Sequence, residues 1–286
     1  MGTILRAIEN LSHAALRGRG FVSRTISAGL EPVHAYDAHG RGALPPVVIV
    51  HGLGASAASF ARVAVPLLSV SKRVVLLDMP GHGRSVAPLV RPLTPRTVFR
   101  AVVHALDGLL DEPFVLVGNS LGGAAALAHA LERPERTRGL FLLSPAGAHL
   151  PGDHAAEVLA TFRMRGRPEG RRFLDKLYHR PPLYTGLVAH ELPRWMGREP
   201  VRDLLEHAHE IAFSTDELAK LTVPTVLSWG KSERLLPASG LAFLKEHLPA
   251  HVRIEEPEGV GHCPQLDDPR ALARRLAAFL SEVGSP

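Results

Sequence analysis

Short, nearly unbroken apolar runs recur along the chain, each about one strand long: Pro46 to Val50, Arg73 to Leu77, Phe114 to Val117, Leu140 to Leu143, Pro224 to Trp229 and Val252 to Glu255. Runs without polar alternation are what a sheet covered on both faces requires. Between them apolar positions fall at helical spacing, predicting helices over Thr97 to Leu110, Ala124 to Glu132, Leu241 to His247 and Pro269 to Val283. Asp267 and Asp268 stand before Pro269, an acidic cap followed by proline at the first helical position. Strands alternating with helices predict an α/β fold, a mostly parallel sheet with helices on both faces.

Near the start, Ile4, Leu5, Ile8, Leu11 and Leu16 fall at helical spacing, with Arg6, Arg17 and Arg19 among them. This predicts an amphipathic helix lying on the body of the protein, with a peripheral membrane contact as the alternative. Residues 1–45 are therefore assigned to this helix and lead-in strands, and 46–147 with 216–286 to the α/β core. The interval 148–215 is too long for an ordinary connection and predicts an inserted helical cap above the sheet edge. The uncharged window Pro113 to Leu131 has the length of a membrane span. Asn119, Ser120 and paired glycines lie inside it, so it reads as a buried strand entering a buried helix and no transmembrane segment is expected.

Composition narrows the function classes. Of 286 residues, 45% are hydrophobic and 21% charged, ordinary for a globular protein with a sizeable core. The single cysteine, Cys263, excludes an internal disulfide and a cysteine-built zinc site, and suits a cytoplasmic location. A net charge of +5 with a pI near 9.8 raises nucleic acid as a partner. No zinc-finger spacing, basic heptad helix or RNA-binding aromatic signature accompanies it, so none is expected.

In such sheets chemistry gathers beyond the carboxyl ends of the strands. After Phe114 to Val117 comes Gly118-Asn119-Ser120-Leu121-Gly122, a G-x-S-x-G pattern between a strand and an Ala/Leu helix. A serine exposed on so sharp a turn needs neighbours without side-chain bulk, which makes Ser120 the candidate nucleophile. After Pro46 to Val50 comes His51-Gly52-Leu53-Gly54, a loop able to aim a backbone N–H at the serine. Leu53, with Gly54 as the alternative, and Leu121 are the candidate oxyanion donors. His262 lies in a loop after the last strand and is the candidate general base; neighbouring Cys263 has no motif of its own. Glu233, in Gly230-Lys231-Ser232-Glu233-Arg234 after Pro224 to Trp229, is the candidate acid that orients the imidazole, with Asp153 in reserve.

These residues resemble the α/β-hydrolase superfamily. The carriers are "HGLG", "DMPGHGRS", "GNSLGG", "WGKSERLLP" and "GHCPQLDDP", in the family order, and they cover the chain from about Pro46 to its end. The resemblance implies that Asp78 to Ser85 is a loop-shaping turn, and that aspartate usually stands where this chain has Glu233. A serine at the elbow disfavours the dehalogenase and epoxide hydrolase branches, which place aspartate there. It leaves acyl transfer to water, ester, thioester or amide hydrolysis through an acyl-enzyme, with a carboxylic ester or thioester as the leading reading and no cofactor or metal expected. The elbow and the "SPAG" after Leu143 also look like the carbon-carbon bond hydrolases of aromatic ring cleavage, the second reading. A non-catalytic binding protein on the same scaffold is the third.

The cap is expected to set the substrate. Phe162, Trp195, Met196 and Phe213 could line an acyl pocket or pack the cap's own small core. Between Arg163 and Arg180 seven basic residues face only two acids, Glu169 and Asp175, which suggests an acidic substrate or a solvated basic face.

Overall fold

The computed structural model describes residues 3–27, 29, 31–85 and 91–284. The extreme ends of the first and last sequence-assigned segments, 1–2 and 285–286, lie outside the described residues. Among the described residues eight strands form one sheet: β1 (Val22–Ile26), β2 (Val33–His39), β3 (Val47–Val50), β4 (Arg73–Asp78), β5 (Phe114–Asn119), β6 (Thr137–Leu143), β7 (Thr225–Ser228) and β8 (Arg253–Glu255). Their order is β1-β2-β4-β3-β5-β6-β7-β8; β2 is antiparallel to β1 and β4, and β3 to β8 are mutually parallel.

The central strands bury both faces. Val48 and Val50 of β3 enter one apolar cluster, whereas Val47 and Ile49 enter another on the opposite face. The first cluster is completed by α3 (Pro95–Asp107), α4 (Leu121–Glu132) and α11 (Ala238–His247). The second is completed by α2 (Ala61–Leu67), α13 (Pro269–Gly284) and Leu16 of α1 (Thr3–Gly18). This is why the runs lack alternation.

The two antiparallel strands escape the apolar-run criterion because they carry charge. Asp37 of β2 is buried and holds Arg73 in a bidentate pair, 2.8 Å on each arm, and His34 donates to Asp78 at 2.8 Å. Paired, hydrogen-bonded charges are the form in which such groups tolerate burial.

Between β6 and β7 lie α5 (Gly152–Phe162), α6 (Arg167–Leu177), α7 (Thr185–Val188), α8 (Leu192–Met196), α9 (Glu199–Glu206) and α10 (Thr215–Leu218). These insertion helices build a third apolar cluster of their own, around Phe173, Leu192, Trp195, Met196 and Val201, with Leu5 of α1 packed against it. A short α12 (Pro264–Asp267) follows the last strand and precedes α13.

Candidate active site

The turn between β5 and α4 is tight enough to dictate its sequence. Ser120 has φ 55° and ψ −120°, a strained backbone for a residue with a side chain. Its N–H donates to the Leu143 carbonyl at 3.1 Å, and its carbonyl accepts from Ala124 and Ala146 at 3.1 and 3.0 Å. A Cβ on Gly118 would stand 2.3 Å from the Gly122 carbonyl oxygen, and one on Gly122 would stand 2.2 Å from that of His51. Both glycines are thus required by the crossing of backbone on backbone.

The loop after β3 is set by His51, which is fully buried. Its Nδ1 donates to the Gly52 carbonyl at 2.7 Å and its Nε2 accepts from Met79 N–H at 3.1 Å, a tautomer fixed by the two partners. Burial pushes its pKa down, so the ring is neutral. The Gly52 carbonyl also accepts from Ala55 N–H at 3.1 Å. In a trans peptide the following N–H points the opposite way, so Leu53 N–H is directed away from the His51 ring. Leu121 is the first residue of α4, where the N–H groups are left without a helical acceptor.

His262 is buried, and its Nδ1 lies 2.8 Å from Glu233 Oε2. The other oxygen of Glu233 accepts the N–H groups of Leu235 and Leu236 at 2.8 and 3.0 Å, and the buried Ser144 side chain donates to the same carboxylate. Burial alone would raise the Glu233 pKa. The neighbouring His262 and these hydrogen bonds outweigh it and hold the carboxyl below its usual range. Asp153, the reserve acid, is exposed in the first turn of α5, and the carboxylate on His262 is that of Glu233.

Ser120, His262, Leu53, Gly54, Phe162, Trp195 and Met196 all line one cavity of about 290 Å³. Trp195 and Met196 do both things expected of them, packing the insertion's core and presenting an edge to the cavity. Trp195 Nε1 also donates to the Gly54 carbonyl at 2.6 Å. Phe213 does not belong to the cavity, contrary to expectation. Its N–H donates to the Gly147 carbonyl at 2.9 Å, and its ring stacks on Phe99, centroids 6.3 Å apart, filling space that a side chain at Gly147 would take. None of the seven basic residues between Arg163 and Arg180 lines the cavity either. Among the described residues its wall holds no lysine or arginine; its one carboxyl is Glu9 of α1, which burial pushes up.

Several site residues escaped sequence reasoning. Asn119 Nδ2 donates to the carbonyls of His262 and Leu143, each at 3.0 Å, and its Oδ1 accepts from Gln265 Nε2 at 3.2 Å. Asp267 accepts the N–H groups of Gly261 and His179 at 2.8 and 2.9 Å, fixing the histidine loop, while Asp268 alone caps α13 through Ala271 N–H at 2.8 Å. Leu5, Ile8, Glu9 and Ser12 of α1 form part of the wall. Their i, i+3, i+4, i+7 spacing was visible in the sequence; its destination was not. Cys263 also reaches the wall, and burial pushes its thiol up, so it stays protonated.

A family model described as the alpha/beta hydrolase family matches residues 47–275. The chain is an α/β hydrolase. It is 29% identical over 274 residues to 2-hydroxy-6-oxo-6-phenylhexa-2,4-dienoate hydrolase of Burkholderia cepacia, covering 87% of this chain and 91% of that protein. It is 28% identical over 256 residues to the pimeloyl-(acyl-carrier protein) methyl ester esterase of Neisseria meningitidis, covering 84% and 95%. Naproxen esterase of Bacillus subtilis has a similar structure, with a TM-score of 0.75 at 20% identity over 96% of this chain and 97% of that one, a likeness of fold. The hydrolase relatives thus include both carbon-carbon bond and ester hydrolases.

Proposed function

We propose that this hydrolase cleaves a neutral carboxylic ester or thioester through an acyl-enzyme on Ser120. In this reading Ser120 Oγ attacks the carbonyl carbon while His262 Nε2 takes its proton. Glu233 keeps the Nδ1–H in place and stabilises the imidazolium. The N–H groups of Leu53 and Leu121 receive the oxyanion. Collapse expels the alcohol or thiol, which takes the proton from His262. A water then repeats the sequence at the acyl carbon and frees the acid and Ser120.

The observation that carries the choice of substrate is the cavity wall, apolar around Ser120 and without lysine or arginine among the described residues. The second reading draws on the dienoate hydrolase relatives, whose named substrate is a carboxylate. An anion entering here would leave water and find no arginine or lysine in the wall to pair with, so the cost of burying its charge favours the neutral ester. The basic cap residues, lying outside the cavity, lend no support to an acidic substrate.

The test is intact-mass analysis after a fluorophosphonate probe, followed by p-nitrophenyl esters and acyl thioesters against the phenylhexadienoate. One adduct that disappears in Ser120→Ala, with ester turnover exceeding dienoate turnover, is expected. Preference for the dienoate would reverse the assignment in favour of carbon-carbon cleavage. No adduct on folded wild type would favour the binding-protein reading.

A further inference from the structure

The mouth of the cavity carries large apolar side chains that the fold leaves uncovered. On α1, Ile4, Ile8 and Leu11 form an i, i+4, i+7 stripe, with Leu11 70% exposed. Opposite it, Leu183, Tyr184 and Leu187 project from α7 and the turn before it, Leu183 being 95% exposed and Leu187 63%. The two groups belong to one rim. α1 packs on α7, and Glu191, just beyond α7, caps α1 by accepting Ile4 and Leu5 N–H at 3.0 and 2.9 Å. Ile8 and Tyr184 are each half exposed and also line the cavity, so they mark its opening.

Positive charge stands beside this rim. α6 runs against α7: Arg167 Nη2 donates to the Gly186 carbonyl at 3.2 Å, and Arg171 lies alongside the same glycine. Arg171 and Arg172 are exposed, and their pairs with Asp175 (3.9 Å) and Glu169 (3.1 Å) are solvated surface contacts of small strength. Over residues 163–180 the seven cations against two anions leave a local excess of positive charge outside the cavity. Scattered exposed leucines are ordinary. An apolar ring around a cavity mouth with cations at its edge is not, because the two chemistries match the acyl layer and the headgroups of an anionic lipid surface.

We propose that the α1–α7 rim docks on an anionic lipid surface, with Leu11, Leu183 and Leu187 entering the acyl boundary and the α6 arginines meeting the headgroups. The cavity mouth then faces the lipid. Docking is independent of which bond the site cleaves, so its failure and the failure of the hydrolytic reading are distinguishable.

The experiment is co-sedimentation of the full chain with vesicles of phosphatidylcholine alone or mixed with phosphatidylglycerol, together with sedimentation velocity of the protein by itself. The wild type is expected to pellet with the mixed vesicles and to dissociate as salt is raised from about 0.05 M to about 0.5 M. The triple variant Leu11→Ser, Leu183→Ser, Leu187→Ser, altered only at exposed positions outside the cavity wall, should partition about tenfold or more weakly. Its unchanged circular dichroism spectrum and thermal midpoint would show an intact fold. No pelleting with mixed vesicles, equal pelleting on phosphatidylcholine alone, or equal pelleting of the variant overturns the proposal. So does a wild-type dimer that the substitutions dissociate without any vesicle binding, which would make the rim a surface for a second copy.

Discussion

Asn119 Nδ2 donates to the main-chain carbonyl of His262 at 3.0 Å, so the residue before the elbow serine holds the loop that carries the imidazole. The same amide bonds Leu143 at the end of β6, and Gln265 steadies its oxygen. Three loops from three strands are thereby fixed to one buried side chain.

Asn119→Ala removes these bonds and takes the side-chain donor from the His262 carbonyl, while the Leu143 carbonyl keeps the Ser120 N–H. It should cost about 1–3 kcal/mol of stability. A displacement of the histidine loop by about 1 Å should lower kcat by about 10² with little change in KM. A folded variant, its stability measured by urea titration, with normal fluorophosphonate labelling would refute the positioning role.

Glu233 reaches its position by length, since one carboxylate spans Leu235 and Leu236 N–H on one oxygen and His262 on the other. Glu233→Gln should lower kcat by up to about 10⁴. Glu233→Asp, a substitution toward the family's usual residue, withdraws the carboxylate by about one C–C bond (~1.5 Å) and should also fall well below wild type. Near-normal turnover of Glu233→Gln would overturn the orienting role proposed for Glu233, and near-normal turnover of Glu233→Asp would overturn only the requirement for its length.

The same carboxyl gives a pH dependence of stability. Burial raises its pKa, but His262 and the hydrogen bonds prevail, leaving the folded value below the ordinary 4.5. A depressed folded value means stability that is present above pH 4.5 and lost as pH falls through the folded value. The urea midpoint of wild type should therefore exceed that of Glu233→Gln at about pH 7, with the gap narrowing below about pH 4.5. A gap independent of pH would contradict this.

At the elbow, Gly122→Ala would drive a Cβ to 2.2 Å from the His51 carbonyl oxygen. Backbone cannot rotate away as a side chain can, so the helix must shift from β3 at a cost of about 3 kcal/mol. Thermal unfolding within 2 °C or so of wild type would show that the crossing is looser than described.

The protonated Cys263 should resist iodoacetamide at about pH 8 in the folded protein and react after denaturation. Rapid alkylation of native protein would indicate an activated thiol.

What the sequence made legible depended on whether the signal was local. β3 to β7 and the elbow announce themselves because double-sided burial and a tight turn constrain consecutive residues. β2 does not, because its buried Asp37 and His34 pair with Arg73 and Asp78, distant in the chain, and β1 does not because it is an edge strand with no buried residue. Glu233 was readable from its place after a strand, and the geometry now accounts for its unusual length. Phe213 was misassigned because an aromatic in the insertion has no local mark telling cavity from core; Phe99 and Gly147 decide it. Asn119 lay in plain view within the motif, yet its partners are separated from it by 24 and 143 residues.

The bond from Trp195 to the Gly54 carbonyl, 2.6 Å, joins the insertion to the loop that carries Leu53. Any outward swing of α8 must break it, although His51 would still hold the start of the loop through the Gly52 carbonyl. Entry that leaves this bond in place passes the half-exposed Ile8 and Tyr184, and α1 becomes a doorpost rather than an appendage.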